Sequence, residues 1–139
     1  MTRRKPGADR PITEISVEDG GLFAVRSISA TVYYLDLDAR LLLRHPGEDS
    51  PTGPYDGCWV PLTSIQAVDE HLGRASGNTW DPVRVGRRHV YHLDPRPGRS
   101  GSPYRWWLQR AVTVIDAVPA EARPAGRSPG DHEDCVPYL

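Results

Sequence analysis

The densest run of chemically capable side chains lies between Arg84 and Arg110. Seven arginines stand there against one acid, Asp94, in a chain of 139 residues whose net charge is −1. Aromatic residues interleave with them. Arg87, Arg88, His89, Tyr91 and His92 fall in one alternating segment, and Tyr104, Arg105, Trp106, Trp107 and Arg110 in the next. On paired strands such a set can hold a single-stranded nucleic acid, with cations tracking phosphates and rings stacking on bases at roughly 1–3 kcal/mol each. The candidate contacts are Arg87, Arg88, Tyr91, Arg105, Trp107 and Arg110. A plainer reading competes and is preferred. Trp106 and Trp107 are adjacent, so a strand points them to opposite faces and at least one belongs to a core. Arginines beside tryptophans often only stack or lay their stems on apolar surface.

Other constellations carry less. His89 and His92, three apart, would share a helix face but oppose each other on a strand, and HVYHL reads as a strand. Cys58, His132 and Cys135 offer zinc donors without a CxxC pair. Free thiols are the expectation there, with zinc or a Cys58–Cys135 disulfide as alternatives. Asp36 and Asp38 could act as an acid/base pair or hold a cation. Set in LDLDAR, they read instead as a strand terminator that braces Arg40. No GxSxG, GxxxxGK[ST], HExxH or GxGxxG motif is present. No cofactor or metal is therefore expected.

Two alternating blocks must position these residues. The first holds LFAVRSI, ATVYYLD and RLLLRH, from Leu22 to His45; the second holds VRVG, RHVYHLD and YRWWLQRAVTVIDAV, ending at Val118. Period-two apolar patterning cut by turn residues indicates antiparallel β structure. Asp36 to Ala39 reads as a turn, because Asp side chains bond local amides. Residues 46–58 and 95–103 are Pro/Gly-rich loops. WVPL suggests a short strand with Pro61 at an edge or bulge. Ser64 to Gly73 reads as a short helix, with Ile65, Val68 and Leu72 at i, i+3 and i+7. The last strand must be long or bent, since Tyr104 to Val118 exceeds the usual 5–6 residues or so.

The length supports one domain. Residues 1–11 carry four basic side chains and two prolines, and 119–139 carry four prolines and two glycines with a net acidic charge. Such stretches bury too little apolar surface to offset chain entropy. Sixteen of the seventeen basic residues are arginine, a skew that GC-rich coding also produces. The basic start is not followed by an apolar signal region, and no run approaches the ~18 apolar residues of a membrane-spanning helix. A cytoplasmic protein without membrane contact is expected.

LDLDARLLLRHPG, WVPL, PVRVG, HVYHLDPRPG and a closing VTVIDAV together resemble a scattered set of small actinobacterial and actinophage proteins. Those share a Y-x-LDLDAR…R-x-PG hairpin, an RVG turn and a closing strand. The resemblance implies a β-rich accessory protein and leaves a phage association open. It assigns no site residue, and the longer 63–81 segment and acidic tail depart from it.

The expected architecture is mostly β: a small antiparallel barrel or sandwich of about six strands with one short helix. Residues 1–11 would form a disordered basic arm, 12–118 the domain, and 119–139 a Pro/Gly-rich acidic tail. The leading expectation for function is a non-enzymatic interaction protein that binds a protein partner through a β surface and its two long loops. Nucleic-acid binding is the alternative, and a small metal-dependent enzyme the third reading.

Overall fold

The computed structural model describes residues 10–53, 55–95 and 105–127. Its strands are β1 (Glu14–Ile15), β2 (Leu22–Arg26), β3 (Val32–Asp36), β4 (Leu41–His45), β5 (Val60–Asp69), β6 (Arg74–Ala75), β7 (Val83–Arg84), β8 (His89–Leu93), β9 (Arg105–Gln109) and β10 (Val114–Ala117). The protein is thus mostly β and antiparallel. One sheet has eight strands in the order β10-β2-β3-β4-β5-β8-β9, with β6 attached to β5; β1 and β7 form a second, two-stranded sheet. That is more strands than the six expected, and the ladders do not close.

The large sheet nevertheless curls until its distant strands meet. Tyr33 of β3 packs on Tyr91 of β8 with ring centroids 5.3 Å apart. Between them lies one core that includes Val25, Leu35, Leu42, Val60, Leu62, Ile65, Leu93, Val112 and Ile115. The alternation in the sequence sets which residues point inward: His89, Tyr91 and Leu93 are buried on β8, while Val90 and His92 are half-exposed. Between β3 and β4 the turn forms as its aspartates suggest, with Asp36 Oδ1 accepting a 2.9 Å hydrogen bond from the Ala39 amide. The long final segment is broken. β9 pairs with β8 and β10 with β2. The intervening stretch is pinned by Val112, which exchanges backbone hydrogen bonds with Gly86 and Arg87.

The helix expected over 64–73 does not form. Residues 60–69 are one strand, paired on one side to β4 and on the other to β8. Ile65 and Val68 are both buried within the strand despite their three-residue spacing, and the pairing with β8 is irregular between Leu62 and Ser64. Ser64 sits opposite His92 instead of capping a helix. Leu72, the third member of the apparent stripe, is 58% exposed in a turn. Asp69 closes that turn by accepting the His71 and Leu72 amides, and Gly73 completes it at φ 68°, where a side chain would be strained.

Residues beyond the expected domain end at 118 make specific contacts. A short 3₁₀ turn at Ala120–Ala122 leads to a docked segment. Arg123 pairs with Asp36 at 2.5 Å and lies 4.0 Å over the Trp59 ring. Asp36 therefore braces Arg123, not Arg40. Trp59 Nε1 donates to the Pro124 carbonyl at 3.2 Å, and its amide donates to the Arg127 carbonyl at 2.7 Å. Gly126 lies so close to Leu43 and Trp59 that a Cβ would collide with both. Proline-rich composition concealed this segment because it docks through backbone groups and the guanidinium groups of Arg123 and Arg127, not through an apolar pattern. Residues 1–9 of the basic arm, most of the 95–103 loop and 128–139 of the tail lie outside the described residues.

Two stability outcomes are expected. A chain ending at 118 exposes Trp59 and frees Asp36, and should melt at least about 5 °C below the full chain, because about 1 kcal/mol shifts a domain this size by that much. Differential scanning calorimetry of the two chains measures it. The second outcome concerns pH. Burial, reinforced by the positive charge of Arg87, lowers the His89 pKa from 6.5 to about 4 against the opposing pull of Asp81. The unfolded chain takes up this proton below about pH 6.5, whereas the folded chain resists until about 4. Stability should therefore drop by up to about 3 kcal/mol as pH falls through that window. Urea melts between pH 7 and 4 should show the drop, and His89→Gln should flatten it.

Candidate functional site

Strand β9 reverses the usual binary pattern. In register with β8, Tyr91 faces Trp107, His92 faces Trp106 and Val90 faces Leu108. The inward set is Arg105, Trp107 and Gln109; the outward set includes Trp106, 61% exposed, and Leu108, 44% exposed. Polar residues thus point into the molecule and large apolar ones point to solvent.

Gln109, one of the inward polar residues, is held by specific partners. Gln109 is 1% exposed. Its Nε2 donates to the Val25 carbonyl on β2 at 3.0 Å, and its Oε1 accepts from the Tyr91 hydroxyl at 2.5 Å. Trp107 meets Tyr33 edge-on at 6.1 Å. Arg44 extends over both rings, 5.8 Å from Trp107 and 6.0 Å from Tyr33, and pairs with Asp56 at 2.7 Å. Burial raises the Tyr33 pKa although Arg44 opposes it, and burial raises that of Tyr91 much further. The Arg105 guanidinium lies 5.5 Å over the Tyr55 ring.

The six expected nucleic-acid contacts do not share a surface. Tyr91 is wholly buried and offers no ring face to a base. Trp107 is half-buried against the core, and Arg105 is directed inward beside Tyr55. Arg88 makes a two-pronged pair with Glu70, both bonds 2.8 Å, which holds the Glu70 carboxyl below its ordinary pKa. Arg87 and Arg110 are exposed and have no ion pair among the described residues. The error of phase has a simple origin. Adjacency told that one tryptophan faces out, but apolar patterning could not tell which, because Gln109 and Tyr91 satisfy each other inside.

His89 and His92 point to opposite faces of β8 and do not converge. Among the described residues no three His, Cys, Asp or Glu side chains cluster as metal ligands. Cys58 is fully buried and disulfide-bonded, not a free thiol. His132 and Cys135 lie outside the described residues. Asp38 is exposed and separate from the Asp36–Arg123 pair.

Comparison with protein families, with curated proteins and with solved structures finds no match.

The buried network predicts its own disruption. Tyr91→Phe strips the Gln109 Oε1 of its donor inside the core and should cost about 1–3 kcal/mol. Chemical denaturation of the variant beside the parent chain measures this; a neutral result would mean that water reaches Gln109.

Proposed function

We propose that this chain is an interaction module that pairs an extended segment of a protein partner against the free side of β9. The observation that carries this reading is the reversed pattern of that strand. Trp106 and Leu108 stand outward although the core does not need them there, and Val90 and His92 flank them on β8. Among the described residues β9 is hydrogen-bonded along one side only. An unpaired strand edge with exposed apolar side chains is a template for strand addition, in which backbone bonds supply affinity and alternate side chains supply selectivity. Large aromatic residues dominate binding at such surfaces. Arg110 stands exposed just past the end of the edge, which favours a partner segment with an acidic residue at that end. The long 95–103 loop lies mostly outside the described residues and adds nothing to this support.

The test joins three measurements. A partner captured from the host should be retained by the parent chain and lost by Trp106→Ala/Leu108→Ala. Amides 105–109 should gain hydrogen-exchange protection in the complex. The chain alone should be monomeric at the same concentration. Retention by the double variant, or no protection at 105–109, overturns the proposal, and concentration-dependent dimers would assign the edge to a second copy instead.

One observation favours single-stranded nucleic acid as a second reading. Trp106, in place of Trp107, is available for stacking, with Arg87 and Arg110 free of ion pairs among the described residues. Under it, Arg87→Ala and Arg110→Ala would each flatten the log–log salt slope by about 0.7, while Trp106→Ala would weaken binding at constant slope.

A further inference from the structure

A cavity of about 390 Å³ opens between β5, β6, β7 and the start of β8, away from the β9 edge. Its size falls in the usual range for small-molecule sites, roughly 300–1,000 Å³. Arg74, Arg84, Arg87, Asn78, Asp81 and His89 are among the residues lining it.

His89 is the informative member. Its side chain is completely buried. Nε2 accepts a 3.2 Å hydrogen bond from the Arg84 amide, so that nitrogen carries the lone pair. The ring is neutral near pH 7, because burial and the charge of Arg87 lower its pKa to about 4. A neutral imidazole whose Nε2 accepts must carry its proton on Nδ1. That Nδ1–H has no hydrogen-bond partner. The Pro82 backbone favours the protonated ring, against burial and Arg87.

One carboxylate of the cavity, Asp81, is already engaged on both oxygens. Asp81 accepts from the Ala67 amide at 2.8 Å, from the Ser76 hydroxyl, and from Asn78 Nδ2 at 2.9 Å. Desolvation opposes its ionisation, yet these donors hold its pKa below the ordinary value. Asp69 accepts two amides of its own turn. Arg84 is committed to Glu14 across the β1–β7 pair. Arg74 and Arg87 have no ion pair among the described residues. The cavity therefore brings together one buried N–H and two guanidinium groups without ion pairs among the described residues, beside Asp81, whose two oxygens are both engaged. A guest must bring negative charge and several acceptor oxygens, the arrangement that guanidinium groups recognise best.

We propose that this cavity binds a small metabolite through an oxyanion, phosphate or carboxylate, held by Arg74 and Arg87 and by the Nδ1–H of His89. The site does not depend on β9, so the two proposals stand or fall separately. Heteronuclear NMR of the full chain tests it, with inorganic phosphate, adenosine 5′-monophosphate and succinate as probes. At least one probe should shift the His89 Nδ1–H resonance saturably at concentrations up to roughly 10 mM. Arg74→Gln and Arg87→Gln should each weaken that probe about tenfold while the melting temperature stays put. Both sites of substitution are exposed, so folding is not at risk. Response to phosphate and the nucleotide alone assigns phosphate, and response to succinate alone assigns carboxylate. Absence of a His89 shift with all three, or undiminished affinity in the Arg74→Gln/Arg87→Gln double variant, overturns the proposal.

Discussion

The hydrogen-bonded chain from Tyr91 through Gln109 to the Val25 carbonyl is the constraint on which the rest of the structure depends. In the sheet order β2 and β9 stand almost at opposite ends, and they are drawn together by the short link from β9 into β10, which pairs with β2, and by contacts in the interior. Apolar packing would do so without fixing register, since it is non-directional. Gln109 supplies direction. Its amide has one donor satisfied on β2 and its acceptor satisfied on β8, so β9 can sit in only one phase against the core. Once that phase is set, Trp107 must enter and Trp106 must leave. The exposed aromatic edge is thus a consequence of a buried polar one.

Much of the fold was legible because period-two patterning survives wherever one face is buried. LFAVR, VYYLD, LLLRH and HVYHL all became strands. The turn at Asp36 was legible from its own chemistry. What escaped shares one cause: the deciding partner lay far along the chain. Ser64 to Leu72 has helical spacing in isolation, but strands on both flanks and a bulge near Thr63 override it. The docked segment after Pro119 has no period to read, because Trp59, Asp36 and Leu43 supply its contacts. The closed sheet expected of a barrel does not form, and the final segment is broken at residues 110–113 between β9 and β10.

The candidate site was legible in composition and illegible in direction. The sequence expected the arginines and aromatics on adjacent strands; β8 carries Tyr91 and β9 carries Arg105, Trp106 and Trp107, whereas Arg87, Arg88 and Arg110 lie just outside them. It could not show that Arg88 is spent on Glu70, that Arg105 turns toward Tyr55, or that Tyr91 is sealed. Nor did any pattern mark the cavity at His89. Its parts come from four short elements, and its most telling feature is a proton without an acceptor, which no linear spacing encodes. Charge density in a sequence measures how many cations are available, not how many remain after the fold has paired them.

The break between β9 and β10 has a consequence for the order of assembly. The β2–β3–β4 meander joins neighbours in sequence and can form on local contacts. β10 must instead return from the far end of the chain to pair with β2, Ile115 opposite Val25. Loop-closure entropy has to be met before such a distant pairing yields any benefit, and folding rate falls as contacts become less local. The first block therefore waits with β2 exposed along one side until the last strand arrives. A ribosome-bound chain would hold that bare edge throughout synthesis of everything between them, which makes the interval before completion, not the finished molecule, the time when β2 is most vulnerable to aggregation.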